Sequence, residues 1–110
     1  SGYAQSQNIA DANRNSNGYT KVYNVNNQRI SEGYVGDRGD SFSYSNCILV
    51  SRNDRGYVKV YNEKIRKISE GYIGNAGDSF MVSGCNIITK NKNGYKRIYN
   101  KELRKISEGY

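Results

Sequence analysis

Asn93-Gly94-Tyr95-Lys96-Arg97-Ile98-Tyr99-Asn100-Lys101-Glu102-Leu103-Arg104-Lys105-Ile106-Ser107-Glu108-Gly109-Tyr110 is the stretch that decides the fold. Most of it returns 38 residues earlier, and its landmarks return again 38 before that. Ile-Ser-Glu-Gly-Tyr stands at Ile30–Tyr34, Ile68–Tyr72 and Ile106–Tyr110. Gly18-Tyr19, Gly56-Tyr57 and Gly94-Tyr95 keep the same step, as do Tyr23-Asn24, Tyr61-Asn62 and Tyr99-Asn100. A period of this size marks one supersecondary unit used several times. A unit this small rarely closes a core alone, so neighbours must complete each other. Residues 1–110 therefore read as a single repeat domain, with repeats at about 1–34, 35–72 and 73–110.

The last full unit reads as four short strands. Asp78–Gly84 follows a Gly-rich loop, and Cys85–Asn91 carries Ile87 and Ile88. Asn93-Gly94 is a strong hairpin signal because both residues tolerate positive φ. Tyr95–Tyr99 is the third strand, Asn100–Leu103 turns, and Arg104–Tyr110 is the fourth. Asn17-Gly18 marks the same hairpin in the first unit, and Asp54-Arg55-Gly56 replaces it in the second. No segment sustains a 3.6-residue apolar period, so helix is expected to be scarce. The first unit is eroded: Ala10, Asp11 and Ala12 stand where later units are apolar, and Ser1–Gln7 only weakly resembles the Asp-Ser-Phe strand.

The composition is polar, with 35% hydrophobic residues and a net charge of +7. The apolar residues still gather in β-branched clusters, such as Ile48-Leu49-Val50 and Val58/Val60, unlike a disordered segment. No run approaches the ~20 apolar residues of a membrane span, so no membrane insertion is expected. Ser1-Gly2-Tyr3 shows no signal peptide, which leaves a cytosolic or an already processed chain, with a preference for a secreted one. The basic balance favours anionic partners. Cys47 and Cys85 occupy equivalent places in successive units. Equivalent places in an array usually lie farther apart than the ~7 Å a disulfide allows, so the two are expected to be small buried residues.

Nine of the eleven tyrosines fall in three repeating columns, Tyr19/Tyr57/Tyr95, Tyr23/Tyr61/Tyr99 and Tyr34/Tyr72/Tyr110. Cations repeat as Arg14/Arg52/Lys90, Lys21/Lys59/Arg97 and Arg29/Lys67/Lys105. Strand alternation puts Tyr19, Lys21 and Tyr23 on one face, and likewise Tyr57-Lys59-Tyr61 and Tyr95-Arg97-Tyr99. A two-residue turn at Asn17-Gly18 sets Arg14 across from Lys21, Arg52 across from Lys59 and Lys90 across from Arg97. Like charges directly opposite destabilise a hairpin, which calls for a bound anion between them, with tyrosine rings as a stacking floor. The plainer reading is that Glu32, Glu70 and Glu108 neutralise the cations while the rings pack over lysine stems. The column Arg29, Lys67 and Lys105 reads as charge that discourages edge pairing. Arg38-Gly39-Asp40 spells an adhesion tripeptide, but Gly-Asp-Ser-Phe recurs at Gly77–Phe80, so a turn and a strand start explain it.

Catalysis is not expected. The chain has no His to act as a base near neutral pH, and the cysteines have no His to activate them. Its loops offer too few carboxylates for calcium, so neither metal nor cofactor is expected.

The stretch Val82–Glu108 resembles blades of the quinoprotein-like and WD40-like β-propellers: apolar strand, Gly turn, a strand ending Ile98-Tyr99-Asn100, a charged turn and an outer strand. That resemblance implies four-stranded blades. Propellers need about four to eight of them, so three blades imply a homo-oligomer, most simply a six-bladed dimer. In length, threefold repetition and Val58–Asn62, the chain also looks like bulb-type mannose-binding lectins, which form a three-sided β-prism. Of that family's sugar motif only Tyr61 is matched, since Asn53, Arg55, Tyr57 and Lys59 fill the other places. A β-trefoil is a third architecture. The expectation is an all-β repeat protein of propeller type that binds multivalently. Its ligand sites would use Tyr19, Lys21, Tyr23 and Arg14, then Tyr57, Lys59, Tyr61 and Arg52, then Tyr95, Arg97, Tyr99 and Lys90. An acidic glycan is the leading ligand. Nucleic acid held by stacking and phosphate contacts, or a protein-docking scaffold, are the alternatives.

Overall fold

The structure, a computed structural model, describes residues 8–110, and the stretch Ser1–Gln7 lies outside them. The described residues form eleven strands in three antiparallel sheets. The first sheet is β1 (Asp11–Arg14), β2 (Tyr19–Tyr23) and β3 (Arg29–Tyr34). The second is β4 (Ser41–Tyr44), β5 (Leu49–Arg52), β6 (Tyr57–Tyr61) and β7 (Lys67–Tyr72). The third is β8 (Ser79–Ser83), β9 (Asn86–Lys90), β10 (Lys96–Asn100) and β11 (Lys105–Gly109). Each sheet is a meander in which consecutive strands pair. The architecture is all-β with no closed barrel and no helix among the described residues.

Local chemistry explains the turns. Asn15, Asn53 and Asn91 each open a hairpin loop that closes on the backbone of Tyr19, Tyr57 and Tyr95. Each Asn Oδ1 accepts two backbone N–H groups across its loop, from Asn17 and Tyr19 in the first case. The loop is thus three residues long and ends on a left-handed glycine, with φ of 95° at Gly18 and 87° at Gly56 and Gly94. The next hairpin is built the same way from Asn24, Asn62 and Asn100. Its left-handed place is held by Asn27, Ile65 and Leu103, at φ of 60°, 58° and 64°. For the β-branched Ile65 that conformation costs about 1–2 kcal/mol. Packing compensates: Ile65 lies over Gly33 and Leu103 over Gly71, each a glycine of the preceding sheet.

The three-residue loop overturns the expected cross-strand pairing. Lys21 pairs with Asn13, and Arg14 with Thr20. Lys59 pairs with Ser51, and Arg52 with Val58; Arg97 pairs with Thr89, and Lys90 with Lys96. A one-residue change of register moves a side chain to the other face. Arg14, Arg52 and Lys90 therefore stand on the opposite side of their sheets from Lys21, Lys59 and Arg97.

The core lies between sheets. Each sheet has a forward face, carrying Ala12, Arg14, Thr20 and Val22 in the first sheet and Val50, Arg52, Val58 and Val60 in the second. The forward face packs on the rear face of the next sheet. One cluster joins Ile9, Ala12, Val22, Val35, Leu49 and Tyr61; the other joins Ile48, Val50, Val58, Val60, Ile73, Ile87 and Tyr99. Each fully buried aliphatic side chain contributes about 1.5–3 kcal/mol.

The loop leading into each later sheet is wedged into this seam. Arg14 donates to the carbonyls of Val35, Asp37 and Asp40 at 2.9, 2.7 and 3.1 Å. Arg52 donates to Asp78, Asn75 and Ala76 at 2.7, 2.9 and 3.1 Å, with its guanidinium over the Phe80 ring. From the other side the Gly36 and Gly74 N–H groups donate to the Tyr61 and Tyr99 hydroxyls at 3.0 and 3.1 Å. These glycines have no substitute. Gly74 sits at φ 58°, and a Cβ there would stand 2.7 Å from Asp78 Oδ2 and 2.9 Å from Thr89 Oγ1.

Cys47 and Cys85 form a disulfide, with Cα atoms 5.2 Å apart. This corrects the expectation of two unbonded cysteines. The spacing of equivalent positions depends on where in the sheets they lie. Here β4 and β8 approach each other, and Ser45 Oγ donates to the Gly84 carbonyl beside the bond. At this converging edge equivalent residues fall within disulfide reach.

Candidate functional site

Alternation holds along β2 and β6. In β2, Thr20 and Val22 are buried while Tyr19, Lys21 and Tyr23 lie on the other face. Only part of each predicted group gathers there. Tyr61 and Tyr99 are buried and spend their hydroxyls on Gly36 and Gly74. Arg14 and Arg52 spend their guanidiniums on loop carbonyls at the opposite face, and Lys90 is exposed on that face too. The remaining members stay together: Tyr19 with Lys21 and the half-buried Tyr23, Tyr57 with Lys59, and Tyr95 with Arg97.

What the structure adds to them is the third tyrosine column. Tyr19 meets Tyr34, Tyr57 meets Tyr72 and Tyr95 meets Tyr110, with ring centroids 5.1, 4.9 and 5.0 Å apart. The interplanar angle is 73° in all three pairs, the edge-to-face arrangement that ring quadrupoles favour. Antiparallel pairing sets this up, because Tyr19 is opposite Tyr34 and Tyr57 opposite Tyr72. Tyr34, Tyr72 and Tyr110 are 64%, 66% and 90% exposed. The regular Ile-Ser-Glu-Gly-Tyr column was the signal that could have brought them into the site.

Each ring pair has a carboxylate and cations beside it. Lys67 lies 2.6 Å from Glu70, Lys105 lies 2.7 Å from Glu108, and Arg29 lies 3.7 Å from Glu32. Lys59 reaches Asp37 at 3.5 Å. Arg97 sits over the Tyr95 ring and near Glu108 and Asp78, at 3.8 and 3.9 Å. The Lys67 ammonium, then the Tyr57 hydroxyl, hold the Glu70 carboxyl below its usual range; Lys105 and Tyr95 do the same for Glu108. Lys67 and Lys105 are raised in return. Tyr57 and Tyr95 are pushed up, first by desolvation and then by their glutamates, and Tyr19 first by its bond to Glu32.

These shifts have signs that a titration can check. A lowered carboxyl favours the fold above its ordinary value of 4.5, and that contribution is lost as pH falls through the lower folded value. A raised lysine favours the fold below its ordinary 10.5, and that contribution is lost as pH rises through the raised value. Exposure keeps both effects small. Spectrophotometric titration is therefore expected to show Tyr19, Tyr57 and Tyr95 ionising after an unperturbed phenol, near pH 10. Glu70→Gln should bring Tyr57 back toward the ordinary value, and an unchanged titration would refute the coupling.

The adhesion-like tripeptide is occupied within the loop. Arg38 donates to Asn17 Oδ1, and Asp40 Oδ2 accepts the Asp37 N–H. Among the described residues no three His, Cys, Asp or Glu side chains gather as a metal site, and no helix is long and apolar enough to cross a membrane. A scan against protein-family models and a search of curated proteins found no match to this chain.

Proposed function

We propose that the three sheets are blades of a propeller-type array and that the chain is a non-catalytic, multivalent, lectin-like glycan-binding module. One observation carries the reading: an edge-to-face tyrosine pair with a glutamate beside it recurs in all three sheets with nearly the same geometry. An exposed ring offers a stacking surface for a sugar's C–H face, and the neighbouring carboxylate and cation offer an acceptor and a donor for its hydroxyls. In the second and third clusters Lys59, Lys67, Arg97 and Lys105 each have a carboxylate within 4 Å, which leaves little free positive charge there. That favours a neutral, hydroxyl-rich glycan over an acidic one. The disulfide suits an oxidising, extracytoplasmic setting.

Tyr72→Ala removes one exposed ring with little cost to the fold. Affinity for a multivalent oligosaccharide is expected to fall about three- to tenfold, because two sites remain. Replacing Tyr34, Tyr72 and Tyr110 together should abolish binding. The assay is a glycan array followed by titration calorimetry at low and high salt. A glycan signal that ignores salt and needs the rings supports the reading. Nucleic-acid binding that collapses as salt rises would replace it with the polyanion alternative, and no ligand of either kind would leave a docking scaffold.

A further inference from the structure

Forward face packs on rear face twice within the chain. At the two ends of the array, both halves of that same contact are uncovered among the described residues. On the forward face of the third sheet, Ile88, Ile98 and Ile106 hold the places of Val50, Val60 and Ile68 one sheet earlier. Val50 and Val60 are fully buried, and Ile68 packs against their cluster. Ile88 and Ile98 are half-buried, Ile106 is 54% exposed and neighbouring Met81 is 57% exposed. On the rear face of the first sheet, Tyr23 holds the place of Tyr61 and Tyr99, which fill the seams, yet it is only half-buried.

Two positions depart from the internal pattern in charge, and they depart with opposite sign. Asp11 stands where the later rear faces carry buried Leu49 and Ile87. Lys96 stands where the earlier forward faces carry buried Thr20 and Val58. Val58 and Ile87 belong to one cluster, so both positions belong to one contact. Opposite charges on opposite halves of a contact fix which faces meet. Lys90 adds to the basic side, in the place of Arg52.

We propose that the forward face of the third sheet docks on the rear face of the first sheet of a second copy, with Lys96 and Asp11 in the shared contact. Repeated head to tail, the contact occurs twice and closes a dimer. The inference rests on the propeller reading of the sheets and not on glycan binding.

The test is light scattering coupled to size exclusion over a range of concentrations. A mass of twice 12.4 kDa is expected. A monomer at every concentration overturns the proposal, and a ladder beyond the dimer overturns closure. Lys96→Asp and Asp11→Lys should each raise the dimer dissociation constant about tenfold or more, because like charges then meet in a desolvated contact. The double variant should restore it to within about threefold. Singles without effect, or a double no better than the singles, would show that other faces meet. Lys96 is exposed, so its replacement leaves the fold intact. Asp11 Oδ1 accepts the Tyr44 hydroxyl, so circular dichroism accompanies that variant. Glycan titration of the same variants separates the two readings: a Lys96→Asp monomer that still binds leaves the lectin reading standing, and a dimer that binds nothing counts against the lectin reading alone.

Discussion

Reducing Cys47–Cys85, or replacing both residues with Ser, is expected to cost about 4 kcal/mol, the largest loss from any single change considered for this chain. The bond closes a loop 38 residues long in sequence. In the chain-entropy account, the cost of leaving such a loop open in the unfolded state grows with the logarithm of its length, which gives this figure. The fold has few other means of absorbing it. Its clusters lie in two narrow seams rather than one central core, and a domain of this size is marginal to begin with. The bond also ties the second sheet to the third at the edge where they converge. Its loss should therefore loosen the seam that holds Ile87 and Tyr99 more than the seam around Val22. Thermal unfolding with and without reductant checks the size, with a fall of about 15–30 °C in Tm expected. Amide exchange checks the place: earlier opening in β8–β11 than in β1–β3 is expected. A shift of a degree or two would mean that the sheets hold one another without the bond.

The cysteines also show where reading the sequence stopped short. The 38-residue step showed that they were equivalent, but not how far apart equivalent residues lie. That distance depends on position within the sheet. It is 5.2 Å at this converging edge, and no pattern along the chain encodes it. The strands themselves were legible. The stretch read as Asp78–Gly84 became Ser79–Ser83, Cys85–Asn91 became Asn86–Lys90, and Arg104–Tyr110 became Lys105–Gly109. The division of Tyr19, Lys21 and Tyr23 from Thr20 and Val22 was legible too, because alternation is a property of any strand.

The candidate site was half legible for a different reason. Asn17-Gly18 has the form of a two-residue turn, and that form fixed the expected register. The deciding residue was Asn15, whose side chain organises a three-residue loop. Asn53 and Asn91 do the same, even in the second hairpin, which has no Asn-Gly pair. An asparagine four places before each tyrosine was present in the sequence as a recurring signal. Once the loop gains its third residue, Arg14 and Arg52 leave the tyrosine face. The expected pairing of like charges is then absent from the first two sheets, and in the third it is replaced by Lys90 opposite Lys96 on the forward face, so no reason is left for an anion between cations on the tyrosine face.

Arg52 accordingly becomes a matter of stability. Arg52→Ala is expected to cost about 3 kcal/mol, with denaturant unfolding as the measurement, while exposed Arg66→Ala changes stability by less than about 0.5 kcal/mol. Arg52 is 9% exposed, and its planar fork reaches three carbonyls of the loop Asn75–Asp78 at once. Removing it leaves those acceptors without their charged donor and takes the guanidinium off Phe80. Arg52→Lys should recover only part of the loss, about half, because a single ammonium cannot span the same fork. The lysine variant also separates structure from ligand binding. If Arg52 held an anion, the charge alone would suffice and Lys would preserve affinity while Ala abolished it, with unfolding little changed. If Arg52 clamps the loop, both variants lose stability in proportion to the hydrogen bonds they lack. On the proposed lectin reading, ligand binding at the Tyr57–Tyr72 cluster, on the rear face of the same sheet, should then be unchanged wherever the protein remains folded.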